Sequence, residues 1–228
     1  MEHLARNLEA IRADISAALR RCGDARREVT LVAVTKGASA SSVDALAALG
    51  VLDIGESRVQ EAQQKAAGVT AAVRWHLVGH LQGNKARKAA ALFASIHSVD
   101  SVALVEALAS TGRPLEMFLQ VNVSGEASKH GVPPEGLRDL YRAAAAAPGL
   151  EVKGLMTIAP YADDPEAARP VFRALRELRD EMARRGEGPP VASLSMGMSG
   201  DYVVAVEEGA THLRVGTALL GPPRRSQG

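Results

Sequence analysis

Of the 228 residues only one is a cysteine, Cys22, so no intramolecular disulfide can form, and a reducing compartment fits. Cys22 lies in a polar turn after the first predicted helix and lacks the Cys/His spacing of a metal site. No apolar run approaches the roughly 20 residues a membrane span requires, and Met1-Glu2-His3 opens no signal peptide. A cytoplasmic protein is therefore expected. Charge of one sign is missing too: 27 basic against 26 acidic residues leave a net +1, which gives no electrostatic case for nucleic acid or an acidic partner. Lysine is scarce, at positions 36, 65, 85, 88, 129 and 153 alone, so few amines are candidates for covalent chemistry.

What is present is a chain 46% hydrophobic, enough for one substantial core. Most of Val29 to Lys36 is β-branched and apolar, and Gly37 ends it, the pattern of a strand buried on both faces in a parallel sheet. Before it, Leu4, Leu8, Ile11, Ile15 and Leu19 repeat at helical spacing across 4–22, a helix expected to cover one end or side of the core. Further strands are expected at 51–55, 73–79, 95–99, 115–123, 152–158, 193–196 and 212–215. Helices are expected at 41–49, 56–67, 84–93, 101–109, up to 147, 165–185 and 201–208. Eight strands alternating with helices, without a linker, predict a single (β/α)8 barrel over 1–221, with 222–228 as a short disordered tail. A doubly wound open sheet is the rival.

In a barrel the chemistry sits at the carboxyl ends of the strands. Lys36 ends strand one, where partial desolvation would make its amine a nucleophile able to form a Schiff base; the plainer reading is a strand-end lysine snorkelling into water. Phosphate is commonly held after strands seven and eight, here Ser195-Met196-Gly197-Met198-Ser199-Gly200-Asp201 and Arg214-Val215-Gly216-Thr217. A plain helix cap by Ser199 or Asp201 is the alternative for the first loop. An imine-forming amine beside a phosphate cradle suits pyridoxal 5′-phosphate. Arg214 would face its pyridine ring and weaken it as an electron sink, or be an ordinary salt-bridged arginine. His76 and His80 share one strand face, but with no third ligand evident they read as packing histidines, and no metal is expected. Lys153 is the runner-up amine, with Glu151 as an ordinary ion-pair partner. Glu56 is a site acid or a helix start, and Asn84 to Lys88, including Lys85, Arg87 and Lys88, a solvated basic face.

Ala33 to Lys36, Ile54 to Glu61, Trp75 to Lys85, Gly154 to Thr157, Ser195 to Ser199 and Arg214 to Thr217 occur in this order over nearly the whole chain. In these motifs the sequence closely resembles the pyridoxal phosphate homeostasis proteins. The resemblance implies a barrel like the amino-terminal domain of alanine racemase, with the cofactor as a Schiff base on Lys36. It implies phosphate contacts from Ser195, Met198, Ser199, Gly216 and Thr217, and Arg214 near the ring nitrogen. Ser57 stands where that family usually has asparagine, so any contact made by that amide is in doubt.

Racemisation needs an acid/base group opposite the lysine, which related racemases take from a tyrosine of an additional β-domain. The chain ends about a dozen residues after Arg214, and Tyr141, Tyr161 and Tyr202 offer no clear replacement. The expected function is a carrier that holds the reactive aldehyde covalently but reversibly, shields it and releases it to apo-enzymes. The alternatives are a weak amino-acid racemase or related carbanion enzyme using Lys36 as base and, further off, a cofactor-free aldolase. The absence of an obvious exposed apolar stripe favours a monomer.

Overall fold

The computed structural model describes residues 2–126, 129–186 and 191–221. The segment read as a disordered tail, 222–228, lies outside the described residues. Eight parallel strands close into a barrel: β1 Thr30–Val34, β2 Asp53–Glu56, β3 Arg74–Leu77, β4 Ser95–Val99, β5 Leu115–Gln120, β6 Leu150–Met156, β7 Ser193–Ser195 and β8 His212–Val215. Each pairs with its neighbours in chain order, and β8 closes on β1 with Val32 opposite Arg214 and Ala33 opposite Val215. Closure excludes the open sheet.

The helices are α1 Glu2–Arg21, α2 Ala40–Ala48, α3 Val59–Ala66, α4 Ala86–Ala90, α5 Val102–Ala109, α6 Leu137–Ala146, α7 Arg169–Arg185, α8 Tyr202–Glu207 and α9 Thr217–Leu220. The apolar stripe of α1 buries Leu8, Ile11, Ile15 and Leu19, and the helix lies against α8 and α9 on the barrel's side. Its Asn7 amide donates to the carbonyl of Leu219 at 2.9 Å, tying the first helix to the last.

Some boundaries differ from the sequence reading. The ladder of β1 stops two residues short of Lys36. Glu56, read as opening a helix, ends β2, and α3 starts only at Val59. The basic segment 84–93 is a 3₁₀ turn, Gly83–Lys85, followed by the short α4. The residues after Gly216, read as loop, form α9. At the barrel mouth glycine matters at Gly79, past the end of β3: a Cβ there would lie 2.2 Å from the carbonyl oxygen of Ser57, so only glycine lets these two backbones touch.

The outward faces of the strands pack apolar side chains under the helices, as Ala33, Ile54, Leu77, Ile96 and Leu213 do. The interior is different. His76, His97, Ser195 and Arg214 fill its middle together with Phe118, whose ring stacks on His97 at 4.3 Å. That polar filling lies directly below the mouth.

Candidate functional site

Thr35 adds one bond to the ladder, its N–H donating to Gly55 O at 2.9 Å; the chain then turns at Gly37, whose φ of +74° only glycine adopts readily. By strand alternation Lys36 shares the inner face of Val32 and Val34. The outward-facing Thr35 donates its hydroxyl to Glu56 Oε1 at 2.6 Å, and Lys65 of α3 donates to both Glu56 Oε1 and the carbonyl of Thr35. Glu56 is fully buried, so this ion pair clamps the backbone just before Lys36. Glu56 is thus neither a site acid nor a helix start. The Lys36 side chain is exposed, without a hydrogen-bonding partner among the described residues. This corrects the expected desolvation: because β1 ends at Val34, the lysine stands on the rim rather than inside the barrel.

Beside it lie the two loops expected to hold phosphate. Gly216 packs under β1, a Cβ there falling 3.2 Å from Val34 O. Ser199 Oγ accepts the N–H groups of Gly216 and Ala218, each at 3.2 Å, so one hydroxyl joins the loop after β7 to that after β8. Ser199 therefore does not cap α8, as the plain reading had it. Asp201 Oδ1 instead turns back to accept the Met198 N–H at 2.6 Å. The amides of Ser199, Gly200 and Thr217 have no acceptor among the described residues, and Thr217 and Met198 are exposed. Unpaired amides from two converging loops are donors of the kind that can hold an anion.

Arg214 is buried and forms no direct salt bridge among the described residues, against the ordinary strand-end alternative. Its guanidinium donates from Nη1 to Ser195 Oγ at 2.7 Å and from Nη2 to the carbonyl of Thr157 at 2.8 Å. Burial pushes its pKa down to about 10, partly offset by Asp201, so it stays a cation at neutral pH. Ser195 Oγ also pairs with His97 Nδ1 at 2.7 Å. That hydroxyl is committed inside the barrel, which removes the basis for the phosphate contact the resemblance implied for it.

His97 is held well below its ordinary pKa, first by burial and then by the charges around it. His212, beside it, is brought down to about 4, again chiefly by burial. Both are neutral in the folded protein near pH 7, whereas an unfolded histidine titrates near 6.5. The unfolded chain therefore binds more protons between these values, and stability falls as pH drops from 6.5 towards 4. His212 alone contributes up to about 3 kcal/mol across that window. Urea midpoints measured from pH 7.5 to 4 check this; a flat profile would mean that neither imidazole is buried neutral.

The remaining candidates go elsewhere. Lys153 pairs with Glu151 at 2.9 Å and Glu116 at 3.6 Å, towards the amino ends of the strands, and is not beside the loops. His76 is a core residue. His80 stacks on His130, ring centroids 3.9 Å apart, and its Nδ1 is 3.5 Å from Asp100 Oδ2. Sequence reasoning missed those partners, which come from different loops. The three could hold a metal ion by proximity, but near-parallel imidazoles aim their lone pairs side by side rather than at one point. Arg87 and Lys88 are exposed without ion pairs among the described residues. A cavity of about 190 Å³ opens at the mouth between Gln120, Asn122, Lys129, His130 and Thr157. A larger one, about 430 Å³, lies at the opposite end near Arg74, Glu116 and Glu151. Chemistry rather than size assigns the site to the Lys36 end.

The comparisons assign the chain to a class of barrel proteins. The family model for the amino-terminal domain of alanine racemase matches residues 6–223, and the chain belongs to that family. Within it, curated relatives matched over nearly their full length are pyridoxal phosphate homeostasis proteins, and the chain belongs to this family. The protein of that name from Vibrio cholerae is 36% identical over 97% of both chains, and that from Aquifex aeolicus 38% identical over 96% of both. A solved structure of PipY from Synechococcus elongatus, with pyridoxal phosphate bound, is 35% identical with a TM-score of 0.83, covering 96% of this chain and all of that one. Among the described residues, no helix is long and apolar enough to cross a membrane.

Proposed function

We propose that this chain binds pyridoxal 5′-phosphate covalently through Lys36 and acts as a carrier for the cofactor rather than as an enzyme. The observation that carries the reading is one end-face combining a rim lysine, unpaired amides from two loops, and a buried arginine cation. These fit the aldehyde, phosphate and pyridine nitrogen of one molecule. When bound, the cofactor supplies a carbonyl that joins reversibly to an amine and a ring that can withdraw electrons. The amides of Ser199, Gly200 and Thr217, with the Thr217 hydroxyl, bind the phosphate; Gly216 leaves room for it and Met198 flanks it. Arg214 faces the ring nitrogen and keeps it unprotonated, which weakens the ring as an electron sink.

The carrier reading is favoured over a racemase by where the tyrosines lie. Tyr202 donates to Asp14 Oδ2 of α1 at 2.6 Å, outside the barrel; Tyr141 is buried in α6; Tyr161 is 94% exposed beyond β6. None supplies an acid opposite Lys36. In this reading the protein works as a cytoplasmic monomer that delivers the cofactor to apo-enzymes, and effects on amino-acid and keto-acid pools are indirect.

The test is to load the protein with pyridoxal phosphate in deuterium oxide, add L-alanine and follow the α-proton by NMR. Exchange no faster than with free cofactor is expected. Exchange at catalytic turnover, abolished by Lys36→Ala, would make it an enzyme.

A further inference from the structure

Five polar groups cross the barrel interior in one unbroken line. Arg214 Nη1 meets Ser195 Oγ at 2.7 Å, and Ser195 Oγ meets His97 Nδ1 at 2.7 Å. His97 Nε2 meets His76 Nδ1 at 3.0 Å, and His76 Nε2 meets Asp53 Oδ1 at 2.8 Å. The two ends fix the outermost bonds, and donation of the serine hydrogen along the line, its one unclaimed donor, sets the direction of those between. A guanidinium can only donate and a carboxylate can only accept. Ser195 therefore accepts from Arg214 and donates to His97 Nδ1. His97 donates from Nε2 to His76 Nδ1, and His76 donates from Nε2 to Asp53. One pattern satisfies every member, and it requires both imidazoles to be neutral with the proton on Nε2.

We infer that Ser195, His97, His76 and Asp53 are positioning residues for the cofactor, a directional chain that fixes the Arg214 guanidinium without neutralising it. The contrast with a direct salt bridge is the point. A carboxylate against Arg214 would hold it equally well but cancel the charge offered to the ring. Here the nearest hydrogen-bonded carboxylate, Asp53, lies four bonds away at the other end of the barrel, where Arg74 also pairs with it at 3.1 Å. His97 and His76 touch no solvent, so nothing but this line satisfies their nitrogens. Neutral linkers carry orientation along the line while leaving the positive charge at its upper end.

This inference rests on the cofactor reading above, so its test has two arms. The first uses no cofactor. Long-range ¹H–¹⁵N spectra of the histidine-labelled protein at pH 7.5 should find His76 and His97 both neutral with Nε2 protonated; a proton on Nδ1, or a cationic ring, would overturn the chain. The second titrates pyridoxal phosphate into wild type, His97→Phe and His76→Phe, reading the visible band and the melting temperature together. Phenylalanine removes both nitrogens and, at position 97, keeps the ring stack on Phe118. We expect each variant to bind about tenfold more weakly, a factor equivalent to ~1.4 kcal/mol, and to shift the band. Ser195→Thr, which keeps the hydroxyl, should restore wild-type behaviour where Ser195→Ala does not. Variants that stay folded with unchanged band and affinity would overturn the positioning role, as would losses that merely track melting temperature. Should His97→Phe fail to fold, His76→Phe and the wild-type spectra decide. A wild type that forms no band refutes the cofactor reading itself, while the first arm still reports on the chain.

Discussion

Lys36→Ala is expected to lose the visible band of bound pyridoxal phosphate completely, and borohydride should then fix no cofactor to the chain. Wild type should take up one cofactor per chain and, after reduction and digestion, carry it on the peptide containing Lys36. Geometry makes the loss total rather than partial. Lys153 is engaged by two carboxylates at the far end of the barrel, and Lys65 is locked between Glu56 and Thr35. Lys129 is the other amine beside the mouth cavity, its Nζ lying 3.5 Å from the carbonyl of Ile158. A band persisting in Lys36→Ala and vanishing in Lys129→Ala would move the attachment point to the loop after β5.

The second large effect concerns stability. Glu56→Ala removes a fully buried carboxylate and strands the Lys65 ammonium, whose side chain is only 9% exposed, together with the Thr35 hydroxyl. Breaking one half of a buried pair costs about 3–5 kcal/mol, because the other charge is left uncompensated. For a chain of this size that corresponds to a melting temperature lower by on the order of 10 °C. Replacing both partners, as in Glu56→Gln with Lys65→Met, should recover much of the loss, since no lone charge then remains. Equal losses in the single and double variants would mean that the pair contributes shape rather than charge. Because the clamp holds the Thr35 carbonyl, the single variant should also loosen Lys36 and slow its capture of the cofactor.

The features that were legible in the sequence are those carried by local pattern. Alternating apolar strands and helices predict the barrel because each strand is short, buried and followed by a helix; the closed β1–β8 ladder is what that count requires. Lys36 and the two glycine-containing loops were also legible, since strand ends and glycines mark where backbone is free to meet a ligand. What escaped was set by tertiary contact. Ser195 has the composition of a phosphate loop, but it is the last residue of β7, and its side chain faces inward onto His97 and Arg214. His97 does not stand out: it is one histidine among serines and aliphatic residues in a short strand, and only closure of the barrel brings it against His76 and Ser195. The signal available was the alternation itself, which puts His76 and His97 on inward faces of adjacent strands. Glu56 misled because an acidic residue after glycine resembles a helix start, and its partner Lys65 sits one helix later.

If Lys36 holds the cofactor as proposed, its position on the rim sets how that cofactor can leave. A lysine sealed in the barrel would protect its carbonyl partner and demand a structural opening before release. The exposed amine leaves that partner open to a second amine arriving from outside, which can take over the carbonyl by transimination while the barrel stays closed behind it. On the proposed carrier reading, transfer would then follow the concentration and reach of the incoming amine, by direct exchange at the rim.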